Sequence, residues 1–363
     1  MRTASKTPSP EIVFVQTVIP HYRVRFFQSL QAELGQRLQL ISGSEDWTLD
    51  LAHAEGVAHA SARNRFFLGR RLLWQSDVVR PALKAPVAVL NLNPRILSSW
   101  VVLLVRHARG RKTVLWGHVW SRAGRTSRTE RVRGVMRRLA DVLVVYTETE
   151  AQTARSLRGS HRVVAAANAL YWKAELGPPP AVDRTTDFVY VGRLVEEKQP
   201  GILLDAFGRA LAQLPADTRL VVVGDGPLRS SLESATHERR LSDRVVFEGH
   251  VSGVDDLRRI FGSAIASVSP GTAGLSVIQS LGFGVPTIVS DHAQHGPELE
   301  AAIEGDSAIF FDGTSSAELE AALVAVAARR DEWLSRRTAI ASRIADRYTI
   351  EAMTAAFVSA TCT

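Results

Sequence analysis

Apolar positions in this chain fall into two alternating patterns. Short β-branched and aliphatic runs, EIVFVQ (11–16), LQLIS (38–42), VAVLNLN (87–93), KTVLWGH (112–118) and VLVVYTE (142–148), read as buried strands. Between them, YRVRFFQSLQAELGQ (22–36) and RVRGVMRRLA (131–140) read as helices. In the second of these, Val132, Val135, Met136 and Leu139 recur at i, i+3, i+4 and i+7, while Arg131, Arg133, Arg137 and Arg138 take the other faces.

The pattern breaks at WKAELGPPPAVDRTTD, whose three consecutive prolines continue neither a helix nor a central strand. It then restarts as strand DFVYVG, helix GILLDAFGRALAQL, strand RLVVVG, helix LRSSLESATHERRL, strand VVFEGH, helix DDLRRIFGSA, strand IASVS, a further helix and strand TIVSD. Such alternation predicts parallel sheets with right-handed crossovers. The expected organisation is therefore α/β: an N-terminal domain over 1–172, a linker over 173–187 and a C-terminal domain over 188–344, the two domains facing a cleft. The stretch 345–363 is expected to form a helix that packs back on the first domain.

Composition narrows the classes. The length of 363 residues suits two domains, and the apolar and charged fractions are those of a globular protein. The run SSWVVLLV (98–105) is too short to span a bilayer, and the N-terminus has no signal-peptide core, so a cytoplasmic protein is expected. The single Cys362 excludes internal disulfides and a cysteine-rich zinc site. Residues 1–172 hold 26 Lys and Arg against 11 Asp and Glu, a net of +15, whereas the remainder holds 18 against 26. A basic half implies an anionic partner such as phosphate groups or an acidic membrane face. No recognition motif or series of stacking aromatics supports nucleic acid.

Candidate chemistry gathers where the predicted C-terminal strands end, the ligand side of an open parallel sheet. VYVGRLVEEKQP places Arg193 directly after a strand and Lys198 near the start of the following helix, so both cations can face one anion. VVVGDGPL and FEGHV end two further strands in glycine turns. SPGTAGLSVIQSLGFGVP (269–286) ends a fourth and contains no Asp, Glu, Lys, Arg or His. An uncharged glycine turn at a helix start reads as an amide cradle, with the N–H groups of Thr272, Ala273, Gly274 and Leu275 aimed at phosphate or sugar oxygens.

These turns in this order resemble the GT-B glycosyltransferases of the large nucleotide-sugar family four. The resemblance is good over residues 185–315, in VGRLVEEKQPGILLDAF, LVVVGDGPL, VVFEGHV, GLSVIQSLGFGVPTIVSD and PELEAAIEGDSAIFF. It is thinner in VIPHYRVRFFQSL, LWGH, ADVLVVYTETE and AAANAL. It implies two Rossmann-like domains, the C-terminal one holding a nucleotide-sugar donor and the other an acceptor, with retention of anomeric configuration. By the same resemblance Arg193 and Lys198 are the donor-diphosphate pair, acting without a metal or other cofactor. Lys198 as a solvated helix-start residue beside Glu196 or Glu197 is the alternative. Gly249, His250 and Val251 match the turn that meets the base, although His250 itself is more simply a surface histidine.

The family carries two glutamates in the opening of the 269–286 segment, and the matching positions here are Gly271 and Gln279. Gln279 retains hydrogen-bonding capacity for a ribose hydroxyl, and Gly271 offers only its backbone. His118 in LWGHVW matches a position where the family often places a functional histidine, and imidazole suits proton transfer near neutrality. A structural histidine is its alternative. Glu298 matches a carboxylate after the next strand, near the donor sugar, with a plain helix-start charge as the other reading. His21, Tyr22 and Arg23 stand in place of a glycine-rich loop and are candidates to grip an anionic acceptor.

RNRFFLGRRLLW (63–74) mixes Phe66, Phe67, Leu72, Leu73 and Trp74 with four arginines, and it reads as a membrane-facing loop or short helix. A solvated basic surface is the alternative. The expected activity is glycosyl transfer from a nucleotide-diphosphate sugar to a glycan, lipid-linked or otherwise anionic acceptor, with peripheral contact at the inner membrane face. A nucleotide-sugar epimerase or hydrolase, or a non-catalytic nucleotide-binding relative, are the competing classes.

Overall fold

The computed structural model of the chain describes residues 9–47, 53–121, 124, 126–157, 162–180, 182, 185–313 and 315–362. Residues 1–8 of the N-terminus read above, Arg122 of the basic run and Ala181, Asp183 and Arg184 of the linker lie outside that set. Two units divide the chain: one runs to Leu170 and regains the chain from Ile350, and the other is Tyr171–Thr349.

In the first unit the strands are β1 (Ile12–Gln16), β2 (Leu38–Ser42), β3 (Ala60–Ser61), β4 (Asn64–Phe67), β5 (Leu72–Gln75), β6 (Val87–Asn91), β7 (Thr113–Trp116), β8 (Val142–Val145) and β9 (Arg162–Ala165). Seven of them form one parallel sheet in the order β3-β2-β1-β6-β7-β8-β9. The second unit has β10 (Asp187–Val191), β11 (Leu220–Val223), β12 (Val245–Gly249), β13 (Ala264–Ser269), β14 (Thr287–Ser290) and β15 (Ala308–Phe311), parallel in the order β12-β11-β10-β13-β14-β15. Strands covered by helices on both faces need apolar side chains at every position, which is why the sequence shows runs rather than alternation.

The helix Ile350–Cys362 belongs to the first unit. Its Phe357 ring lies 4.8 Å from Trp116, 5.1 Å from Phe26 and 5.4 Å from Phe14, so the chain's last helix completes an aromatic core begun by its first strand. The polyproline segment read as a linker lies along the second unit. The Gly177 amide donates to Gly282 O at 2.9 Å, and Arg258 Nη2 donates to Glu175 O at 2.7 Å.

Two local expectations need correction. Residues 63–74 are neither a loop nor a short helix but an antiparallel hairpin of β4 and β5. Its tip is made by Leu68, Gly69 and Arg70, all in the left-handed region. Side-chain amides anchor it. Asn64 Nδ2 donates to Thr17 O and Glu45 O, and Gln75 Nε2 donates to Gln16 O and Asn64 Oδ1. The Arg70 guanidinium lies 3.8 Å from the Phe66 centroid, so part of the aromatic surface is covered by a cation of the same segment, and nearby Arg95 lies 4.0 Å from the Trp47 centroid. Phe67 and Leu68 are left outermost.

In the helix Glu130–Leu139 only half of the predicted apolar stripe faces inward: Met136 is buried and Leu139 half-buried. Val132 and Val135 are exposed, whereas Arg137 is buried and Arg133 half-buried. The arginines face inward because loop carbonyls lie beneath them. Arg137 Nη1 donates to Val119 O at 2.7 Å, and Arg133 Nη1 donates to Leu92 O at 2.8 Å and His118 O at 3.0 Å.

Arg106 is the extreme case. It is fully buried, and its guanidinium donates to the carbonyls of Ala82, Ala85, Pro86 and Lys112 and to Thr113 Oγ1. Burial pulls its pKa down to about 10, still well above neutrality. Removing it takes the guanidinium donors from the carbonyls of Ala82, Ala85 and Pro86 at once, so Arg106→Met is expected to cost at least about 3 kcal/mol. Urea unfolding checks this, and a loss below about 1 kcal/mol would contradict the role assigned to it.

Candidate functional site

The site in the second unit is built from the loops that follow β10, β11, β13 and β14. Gly192 and Arg193 leave β10, and the Tyr190 hydroxyl donates to Arg193 O at 2.8 Å, fixing the turn. The neighbouring turn after β11 presses on it: a Cβ on Gly224 would lie 1.9 Å from Gly192 O, and one on Gly226 would lie 2.5 Å from Leu194 O. Both glycines also have φ in the left-handed half, +138° and +156°. The Arg193 side chain is exposed above this turn.

Lys198 ends a short 3-10 turn, Glu196–Lys198, followed by Gln199 in the left-handed region and the helix Pro200–Ala210. Its Nζ donates to Thr272 O at 3.1 Å, in the loop after β13. Burial is the main cause that holds its pKa below the ordinary lysine value. Arg193 acts in the same direction and Glu298 against it. Arg193, Lys198, Glu298 and the 271–275 loop thus lie in one neighbourhood.

The amide cradle is only partly as expected. Thr272 N donates to Glu197 O at 2.8 Å, and Ala273 N donates to His295 Nδ1 at 3.1 Å, so these two amides hold the loop in place instead of facing a ligand. What remains is Gly274 and Leu275, ahead of the first intrahelical bond of the helix Leu275–Gly282. A Cβ on Gly271 would lie 2.4 Å from Glu197 O and 2.7 Å from the Lys198 carbonyl carbon. The glycine is required by that approach.

Glu298 lies in the 3-10 turn Pro297–Ala301 and is only 5% exposed, which disfavours a solvated helix-start charge. Its Oε2 is 3.5 Å from where a Gly274 Cβ would stand. The negative charge that the 269–286 loop lacks therefore comes from the next loop, at a helix start where an anion is favoured. Gln279 is buried, and its Nε2 donates to the Tyr171 hydroxyl at 2.5 Å. Gly249 takes a left-handed φ and its carbonyl accepts from Gly224 N, which aligns the third turn with the second. His250 is exposed and Val251 half-buried.

Sequence reasoning missed His295. Its Nε2 lies 2.7 Å from Ser290 O and its Nδ1 accepts from Ala273 N, which assigns a neutral ring with the proton on Nε2. Burial holds its pKa below the ordinary histidine value. The ring bolts the loop after β14 to the loop after β13, and its signal was a second histidine in DHAQHG. Asp291, His292 and Asp312 offer ligand atoms within 4.8 Å of one another, all of them exposed.

In the first unit, His21–Arg23 form a 3-10 turn after β1. His21 is exposed and Tyr22 half-buried, but Arg23 is engaged with aromatic rings. Its guanidinium is 4.2 Å from the Trp116 centroid, and its Nη2 donates to the Tyr146 hydroxyl at 3.2 Å. These contacts hold the Arg23 side chain against the Trp116 and Tyr146 rings. His118 Nδ1 lies 2.9 Å from Glu150 Oε1, and its ring lies 4.5 Å from that of Tyr146. The other Glu150 oxygen accepts from Tyr146 N, and the Glu150 amide donates to Thr147 Oγ1, the cap of the helix Glu148–Arg155. A carboxylate fixed in this way orients the imidazole with its Nδ1 proton inward and leaves Nε2 for proton transfer.

Residues 177–339 match the family described as glycosyl transferases group 1. The match covers most of the C-terminal unit. Among relatives, the GDP-mannose-dependent alpha-(1-6)-phosphatidylinositol dimannoside mannosyltransferase of Mycobacterium tuberculosis is 35% identical over 105 residues, 28% of this chain and 26% of that protein. The chain thus spans about a quarter of that relative's length. Solved structures match nearly end to end: HepE of Anabaena in complex with UDP, with a TM-score of 0.70 at 14% identity over 96% of this chain and 98% of that one, and the lipopolysaccharide outer core galactosyltransferase WaaB, with 0.66 at 14% over the same shares. The fold of the chain is accordingly GT-B, two parallel α/β units.

If Gly271 is dictated by the Glu197–Lys198 backbone, restoring the family's glutamate does not restore a family site. Gly271→Glu is expected to displace Lys198, lower the melting temperature and weaken binding of nucleoside diphosphates by about tenfold or more. Calorimetry showing tighter binding would refute the steric assignment.

Proposed function

We propose that the protein is a glycosyltransferase that moves a sugar from a nucleoside-diphosphate donor to a lipid-linked or otherwise anionic acceptor in surface-glycan assembly, without a metal. The observation that carries this is the convergence of Arg193 and Lys198 on glycine-walled turns at the carboxyl ends of β10 and β13, within a group 1 unit. Relatives support the reaction class: the mycobacterial protein is a mannosyltransferase, and HepE holds UDP. The basic first unit supports the acceptor class.

In the proposed reaction the bond from the anomeric carbon to the diphosphate oxygen breaks and one to an acceptor hydroxyl forms. Negative charge grows on the departing diphosphate, and Arg193 with the partly desolvated Lys198 stabilises it where water would screen it more. The amides of Gly274 and Leu275 add helix-terminal donors to the donor's oxygens. In the first unit, His118 is the group offered for proton transfer, through Nε2, and Glu150 at its Nδ1 would stabilise the imidazolium. The resemblance assigns retention of configuration, which NMR of the product distinguishes from inversion.

Calorimetry with UDP- and GDP-sugars tests the donor site. Arg193→Ala and Lys198→Ala are each expected to weaken binding about tenfold to a hundredfold, and turnover is expected to persist in chelator. Unchanged affinity in both variants would remove the assignment.

Lys198 gives a pH signature. Its lowered pKa means that the free site loses this charge on the acid side of the ordinary lysine range as pH rises, whereas a bound diphosphate favours the charged form. Affinity should therefore fall with alkalinity, with proton uptake on binding, and Lys198→Arg should flatten the profile. A wild-type affinity that is flat to pH ~10 would contradict it.

A further inference from the structure

Both polar backbone groups of one residue in the loop after β13 are taken by two consecutive residues of the loop after β14. Ala273 N donates to His295 Nδ1 at 3.1 Å, and Gly296 N donates to Ala273 O at 2.7 Å. The ring that receives the first bond is itself held by the sheet, since its Nε2 donates at 2.7 Å to the carbonyl of Ser290, the last residue of β14. Position therefore passes from strand end to imidazole to loop. Immediately beyond Ala273 stand Gly274 and Leu275, whose amides precede the first intrahelical bond of the helix Leu275–Gly282. No side chain caps that helix, so the Ala273 tie is what aims these amides.

The bonding allows one protonation state. A backbone N–H only donates and a backbone carbonyl only accepts, so the ring must show a bare Nδ1 to Ala273 and a protonated Nε2 to Ser290. An imidazolium would set one N–H against another and break the Ala273 tie. Burial is the main cause that keeps the ring's pKa below the ordinary histidine value, and Lys198, from the loop after β10, acts in the same direction. The Ser290 carbonyl and Asp291 at the strand end act against it, and the Glu298 carboxylate stands beside Gly296.

We propose that His295 is a positioning residue for the donor: its neutral ring holds Ala273 so that the Gly274 and Leu275 amides face the donor's oxygens, and its protonation releases them. Donor affinity then has an acid limb, present while the ring is neutral and lost as pH falls through the ring's pKa. Plain electrostatics has the opposite sign, because a charged histidine near a diphosphate would strengthen binding in acid. The proposal rests on the reading of the second unit as a nucleotide-sugar site. The clamp itself is argued from hydrogen bonds within the unit.

The test has two arms, both on the full chain. Hydrogen exchange, read as the protection factor of the Ala273 amide without any ligand, should show protection at pH ~7.5 that is lost at pH ~5 and in His295→Phe. His295→Asn keeps an acceptor where Nδ1 stands and does not titrate, so its protection should persist in acid. The second arm is calorimetry with UDP-glucose and GDP-mannose, whose esterified diphosphates do not titrate in this range, unlike a terminal phosphate with a pKa near ~6. Parent affinity should fall about tenfold from pH ~7.5 to pH ~5, and His295→Phe should be about tenfold weaker throughout. His295→Asn should keep most of the affinity and lose the acid limb. Circular dichroism separates a misfolded variant from a released loop. Affinity that rises in acid, an acid limb retained by His295→Asn, or Ala273 protection unchanged in His295→Phe would each overturn the proposal. Binding of neither nucleotide-sugar by the parent at any pH would overturn the donor reading and the role in binding together, and the exchange arm then tells a clamp without a donor from no clamp.

Discussion

The donor-side unit depends on one constraint: backbone meets backbone at the carboxyl ends of its central strands, with no room for a Cβ between. Gly224 against Gly192 O, Gly226 against Leu194 O and Gly271 against Glu197 O are three instances, at 1.9, 2.5 and 2.4 Å from the atom that a side chain would add. The contacts are bonded as well as close, since Leu194 N donates to Asp225 O and Thr272 N to Glu197 O. Three loops from distant parts of the chain thereby become one surface, and the cations riding on them inherit positions set by main chain. Main-chain placement suits a ligand whose charge must be met at fixed distance, because little rotamer entropy is left to lose.

This constraint also decides where negative charge can stand. A carboxylate at position 271 is excluded by the Lys198 backbone, so Glu298 supplies one from the following loop, buried beside Gly274. Two cations near one carboxylate leave the empty site slightly positive, and burial answers by lowering the Lys198 pKa. His295, locked between Ser290 O and Ala273 N, adds rigidity without charge. The 269–286 loop is uncharged because its task is close approach, and the charge is carried by the neighbouring loops.

Strands and turns were legible in the sequence because each has a one-residue cause. Double-sided burial writes itself as VVVG or VLVV, and a close approach writes itself as glycine. Side-chain commitments are pairwise and were not legible. Gln279 to Tyr171 joins residues 108 positions apart, and Arg23 to Trp116 joins residues separated by most of the first sheet. The hairpin was hidden because only Gly69 of its three left-handed tip residues announces the turn. The periodicity of Glu130–Leu139 separated valines from arginines correctly and said nothing about which set faces the sheet.

The answer to that last question links the two halves of the first unit. Arg133 and Arg137 turn inward because the loops after β6 and β7 present carbonyls at Leu92, His118 and Val119 that the sheet does not satisfy, and a guanidinium can reach several acceptors at once. Arg133 and Arg137 share the inward face with Met136, and Val132 and Val135 are left on the outer one. Arg106 does the same for the neighbouring helix, beneath Val101 and Leu104. The formal charge of residues 1–172 therefore overstates what the surface offers, since several of its cations are internal clamps. One of those clamps holds the carbonyl of His118, whose imidazole Glu150 orients. The need to satisfy strand-end carbonyls thus fixes the histidine of the first unit and, by the same rotation of the helices, leaves an apolar face toward the outside.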